Sequence, residues 1–274
     1  MCLEEFKLSK IKPCDEEACC CAESPWFPWP VMLVFRFLVA AYNTGWLIYS
    51  GFHEANGKTK WFIYLTNWGY LLETVYFIYA SAVTLWFHIR EKKNKVSKNE
   101  KDVEMDAKKD QIQKNEDQSD FNFSDLMRYH HSLMWILFNI AADTAVLISI
   151  IYWGWMVGPI DGLDVSTHAL NTVFMILELV LSKLPIRLLH CIYPLVFGLC
   201  YMIFTVVYWA AGGTNANNKP YIYSIVDYKD SPGMAVGILL GALLVLLPIV
   251  HSVFFGVYKL RCYLSERSCG KTNA

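Results

Sequence analysis

An excess of one charge sign is missing from this chain. The formal net charge is −1, so no global field points to nucleic acid or to a strongly charged partner surface. The first thirty residues lack the basic and then apolar pattern of a secretory leader, so the first apolar stretch is expected to start membrane insertion itself. Nine cysteines are present, yet none falls in a stretch placed outside the cell below, where oxidation favours bridges. Cys2, Cys14, Cys19, Cys20 and Cys21 have no histidines at ligand spacing, so no zinc site is expected, and no metal or other cofactor. Convincing internal repeats are also lacking, as are broken helices beyond Pro185, which counts against a transporter built from inverted repeats.

What the chain has is apolar length. Of its 274 residues, 55% are hydrophobic, too many for an ordinary soluble domain. A membrane-spanning helix needs about 20 mainly apolar residues, and several stretches reach that length. They run from Val31 to Ser50, Trp61 to Trp86, Ser132 to Val157, Val165 to Ser182, Leu188 to Ala211 and Pro232 to Tyr258. Lysine and arginine set their direction. With both ends inside, nineteen basic residues lie in the tails and inner connections, and four (Lys58, Lys60, Lys219 and Lys229) lie outside. The expectation is therefore an all-α bundle of six transmembrane spans with cytoplasmic N- and C-termini.

The parts follow from that order. Residues 1–30 form a cysteine-rich cytoplasmic tail, 31–88 the first two spans, and 89–130 a charged cytoplasmic segment. Residues 131–258 hold four more spans, and 259–274 a second tail. The charged segment has ten basic and ten acidic residues and almost no large apolar ones. It is expected to be disordered or a loose solvated helix, whose proximal bases suit anionic lipid. Cys19 to Cys21 and Cys262 lie near span ends, where reversible S-palmitoylation is one reading and unmodified thiols the other. The fifth and sixth spans read as lipid-facing scaffold.

Ionisable residues inside a span cost about 2.5–3.5 kcal/mol at its centre, so they face a bundle interior or a cavity. Arg36, Glu73, Asp143 and Glu178 are such residues. Counting depth from the span ends puts Arg36 near Glu73 and Glu178, where a buried pair or triad lowers the burial cost. Such pairs fix helix register or line a functional cavity, and the pattern alone leaves both open.

Thr66, Tyr70 and Glu73 share one face of the second span, with Asn67 beside Thr66; His168, Asn171 and Glu178 share one face of the fourth, with Thr172 beside them. Both helices run inward from the outer surface, so these faces point to one pocket in its outer half, walled by the second, third and fourth spans and the first. A threonine becomes a nucleophile when a nearby histidine takes its proton. That makes Thr66 and His168 a candidate catalytic pair, against the commoner role of such side chains as hydrogen-bonding glue between helices. The ligand expected is a membrane lipid or fatty-acyl molecule; no protein partner is legible.

Several stretches resemble a known family. Tyr64-Leu65-Thr66-Asn67-Trp68-Gly69, Thr167-His168-Ala169-Leu170-Asn171 and Pro185-Ile186-Arg187-Leu188-Leu189-His190 are similar to segments of the rolling stone proteins. So are Tyr208-Trp209-Ala210-Ala211-Gly212-Gly213-Thr214 and the tyrosine-rich stretch from Ile222 to Tyr228. The resemblance runs from the first span to the last. It implies a multi-pass plasma-membrane protein acting in cell fusion, as in myoblasts, or in muscle development. A more distant likeness is to the androgen-induced transmembrane hydrolases of fatty acid esters. Thr66 matches that family's threonine nucleophile and His168 the first of its two histidines. Asn171, followed by Thr172, stands where the catalytic histidine is expected. An asparagine accepts no proton, so the likeness implies hydrolysis only if His168 serves as base. Lipid-ester hydrolysis and lipid or sterol binding are the two alternative functions.

Overall fold

The computed structural model describes residues 21–53, 58–104, 109–156 and 158–270, with backbone alone for 58, 93–104, 109–125, 127 and 268–270. Among the described residues six helices are long and apolar enough to cross a membrane: α1 (Trp29–Phe52), α2 (Leu65–Lys92), α3 (Arg128–Met156), α4 (Gly162–Leu181), α5 (Leu188–Ala210) and α6 (Pro232–Arg267). No strand occurs among the described residues. The helix of α2 continues into the charged segment as far as Glu104, and that of α3 begins at Lys109. The last helix runs beyond Tyr258.

Helix α3 is the axis of the bundle. In its most apolar eighteen-residue window 61% of residues are buried, against 17% in α5 and in α6. Ala141, Ala142 and Ala145 are among its buried residues, and small side chains allow close helix approach where lipid supplies no hydrophobic drive. Gly69 does the same for α2. A Cβ there would lie 2.7 Å from Ile148 Cδ1 and 2.9 Å from Thr144 Cγ2 of α3. The core around this contact is built from Tyr76, Phe77, Trp135, Phe138, Met175 and Leu179.

Among the described residues three helices carry a π-helical turn: Tyr152–Met156 closes α3, Ser166–Leu170 lies within α4, and Ala242–Leu246 lies within α6. Such turns shift the side-chain register by one residue and frequently mark functional sites. Helix α4 starts from a reciprocal cap, in which Asp164 N–H donates to the Asp161 carboxylate and Asp161 N–H to that of Asp164. Helix α5 ends at Gly212, whose φ of 78° permits the left-handed turn that pairs Gly213 N–H with the Tyr208 carbonyl.

The connection after α4 is more interior than a solvated hairpin. Leu184, Ile186 and Arg187 are buried. Lys183 is tied to residues before α1: its ammonium lies 2.7 Å from Glu23, and its N–H donates to the Glu23 carbonyl. Trp26 adds an indole bond to the Val180 carbonyl at 2.8 Å. Cys21 is buried there, so in this state its thiol is not presented for acylation. Cys2, Cys14, Cys19 and Cys20 lie outside the described residues.

Candidate functional site

The intramembrane charges separate into distinct pairs. Arg36 on α1 meets Glu178 on α4, with both groups fully buried and Nη2 to Oε1 at 2.6 Å. Its guanidinium also donates to the Thr84 hydroxyl on α2 and to the Cys21 carbonyl, and Tyr76 donates to Glu178 at 2.8 Å. Glu73 takes a different partner. Asn43 of α1 donates to it at 3.0 Å and accepts from the Tyr70 hydroxyl at 3.1 Å. Asp143 on α3 lies 2.7 Å from His251 Nδ1 on α6, whose other ring nitrogen is 2.9 Å from the Arg187 carbonyl. Asn171 and Thr172 bond Ser149 of α3. These groups tie the helices together, and none of them lines the adjoining cavity.

A cavity of about 580 Å³ lies beside them. Its wall comes from α2, α3, α4, α5, α6 and the 211–231 connection, which the lining residues Tyr221, Tyr223 and Tyr228 bring over one end. Of the candidate residues, Thr66, Asn67 and His168 lie on the wall. Arg36, Tyr70, Glu73, Asp143, Asn171, Thr172 and Glu178 do not. Helix α1, expected beside the pocket, contributes none of the described lining. Helices α5 and α6, expected as scaffold, supply one side. All three π-helical turns contribute lining residues, among them Tyr152, His168 and Leu243.

The cavity is polar at one end and apolar at the other. Leu147, Ile151, Met202, Leu243 and Leu247 line the part within the bundle; tyrosines, Thr205 and Asn215 line the end under the connection. That end is held by hydrogen bonds. A helix N-terminus leaves backbone N–H groups unpaired, and at α2 Leu65 N–H donates to the Tyr223 hydroxyl at 2.8 Å and the Tyr201 hydroxyl at 3.1 Å. Tyr201 donates in turn to the Ile63 carbonyl, and Thr205 pairs with Tyr228 at 2.7 Å. Lys60 clamps the connection through Thr214 and the Asn215 carbonyl, at 2.6 and 2.7 Å. Burial raises the Tyr223 pKa, and its contacts with Tyr201, Leu65 and Thr66 partly oppose that rise. It stays a neutral phenol near pH 7. Asn217 and Lys219 are exposed wall residues, so the cavity opens beside them.

His168 stacks face to face on Tyr152, with ring centroids 3.7 Å apart and planes 1° from parallel. Its backbone carbonyl, in the π-helical turn, accepts the Trp153 indole N–H at 2.9 Å. The Thr66 hydroxyl is engaged by Tyr223, and no hydrogen bond joins it to His168, whose enclosed Nδ1 has no partner among the described residues. Thr66 and His168 thus share a cavity without forming the bonded nucleophile–base pair of an activated hydroxyl.

Sequence reasoning missed Tyr152, Tyr201, Thr205 and the tyrosines of the connection. One signal was available: Tyr201, Thr205 and Tyr208 recur at four and three residues, a polar stripe on an apolar helix. The π-helical turns left no comparable signal.

The model of the family described as Protein rolling stone matches residues 118–269. A curated relative, Protein rolling stone of Drosophila melanogaster, is 27% identical over 210 residues, covering 74% of this chain and 68% of the relative. No solved structure matches.

Proposed function

The chain belongs to the rolling stone family and is a multi-pass membrane protein, and from that premise we propose that it acts at the plasma membrane in cell fusion or muscle development by holding a lipid-like molecule between its helices. The observation carrying this reading is the cavity. It is about 580 Å³ in volume, within the usual range for a single small-molecule ligand, and polar at one end only. An amphiphile fits such a lining with its apolar part among the leucines of α3 and α6 and its head under the tyrosines. In the proposed orientation both termini are cytoplasmic, following the lysine and arginine bias, and the 211–231 connection faces outward.

The test is cell mixing in a fusion-competent line lacking the protein, re-expressing either wild type or Ala242→Trp. Ala242 lines the cavity from α6, and tryptophan there fills it. Surface biotinylation reports whether both forms reach the plasma membrane. Mixing restored by wild type and lost with a surface-expressed Ala242→Trp supports the reading. Retention of the wild type in internal membranes, or equal rescue by both forms, overturns it.

A further inference from the structure

We infer that the ligand is an uncharged lipid carrying a hydroxyl headgroup, such as a monoacylglycerol or a sterol, and that His168 hydrogen-bonds that hydroxyl. The inference rests on the proposed binding role of the cavity and adds the chemical class of its occupant.

Two observations point independently to this class. The first is His168 itself. Among the described residues, the other buried polar side chains of the wall have partners: Asn67 donates to the Trp61 carbonyl, Thr167 to the Leu163 carbonyl, and Thr205 pairs with Tyr228. His168 is 8% exposed, and its enclosed Nδ1 has no hydrogen-bond partner among the described residues. A buried polar group left without a hydrogen bond is costly, so a ligand that supplies the bond removes that cost. A neutral imidazole presents one N–H and one bare nitrogen. An alcohol complements either one, because it both donates and accepts.

The second observation is charge. The two formal charges on the wall are Asp164 and Lys219. Asp164 is committed to the α4 cap and to the Tyr152 hydroxyl. Lys219 is exposed at the mouth, where water and salt screen it. Among the described residues of the wall no buried cation waits for a phosphate or carboxylate, and a buried unpaired charge is the costliest thing to place in such a cavity. Phospholipids and fatty acids are disfavoured on that ground, and an uncharged head is favoured.

The experiment uses the full chain in nanodiscs of uncharged detergent-free lipid, labelled with a photoreactive diazirine monoacylglycerol. Excess monoacylglycerol, cholesterol, palmitate or phosphatidylserine serves as competitor. The variant His168→Phe keeps a flat ring against Tyr152 and removes both nitrogens. Labelling is expected near α3 or α6 residues of the cavity, displaced by monoacylglycerol or cholesterol and resisted by palmitate and phosphatidylserine. His168→Phe is expected to weaken the apparent affinity about 3–10-fold, as for loss of one hydrogen bond, at unchanged or higher thermal stability without ligand. If palmitate or phosphatidylserine displaces the probe best, or His168→Phe binds as wild type does, the ligand class is wrong while the cavity still binds lipid. If no competitor displaces the probe, or the labels fall only on the outer faces of the bundle, the binding role fails with it.

Discussion

Replacing Glu178 by glutamine tests the electrostatic argument for the bundle. The substitution keeps the side chain's shape and an oxygen for Tyr76, but removes the counter-charge 2.6 Å from the Arg36 guanidinium. Arg36 is fully buried, so its charge cannot reach water. The Thr84 hydroxyl and Cys21 carbonyl remain, and neither is anionic. Breaking a buried pair from one side costs about 3–5 kcal/mol. At about 2–4 °C per kcal/mol for chains of this size, the midpoint should fall by roughly 6–20 °C. The double variant Arg36→Met with Glu178→Gln removes both charges and should regain at least half of the loss, since replacing both partners is often close to neutral. Glu73→Gln is the matched control: its carboxyl is bonded to Asn43 and faces no cation among the described residues, so a small change is expected. The assay is thermal loss of monodisperse protein in detergent, read by fluorescence-detected size exclusion. Equal losses for Glu178→Gln and Glu73→Gln, or strictly additive single variants, would refute the reasoning.

Other parts of the structure give further expectations. Gly69→Ala pushes a methyl against Ile148 and Thr144 and should destabilise the bundle by about 1–3 kcal/mol, read as a lower midpoint in the same assay; an unchanged midpoint would mean that α2 and α3 stand further apart. Lys60→Met removes the clamp on Thr214 and Asn215 and should speed proteolysis within 211–231, which mass mapping of the fragments would show. A variant retaining Cys21 as its sole cysteine should resist a maleimide mass tag until denatured, because the residue is buried; rapid tagging of the folded protein would free that segment from the bundle. A fluorophosphonate should leave the wild type unlabelled, since Tyr223 rather than His168 engages Thr66; labelling abolished by both Thr66→Ala and His168→Ala would instead establish a hydrolase.

The six spans were legible because hydrocarbon thickness imposes a length and a composition that few other structures share. Depth counting was nearly as informative. It placed Arg36 near the depth of Glu178 and Glu73, and of these two the helices pair Arg36 with Glu178. Depth fixes height but not azimuth, so counting could not divide Glu73 from that pair or join Asp143 to His251. His251 is an isolated histidine in an apolar stretch of sequence, and the carboxylate it meets lies 108 positions away. The pocket's membership was harder to read. Thr66 and His168 reach the cavity, but Asn171 and Thr172, one turn below His168, are drawn to Ser149 instead. The π-helical turn at Ser166–Leu170 changes the register between them, and an ideal 3.6-residue count misses such a shift. The role of the tyrosine-rich connection was not legible, because its partners lie on α2 and α5, where only tertiary structure brings them.

The most direct test of the central claim is native mass spectrometry of the protein released from nanodiscs, comparing wild type with Ala242→Trp. The account predicts one retained adduct of lipid mass per wild-type chain, surviving gentle activation, and its absence from the filled variant at unchanged folding. A wild type that flies bare, or an identical adduct on Ala242→Trp, would contradict the claim that this cavity holds a lipid.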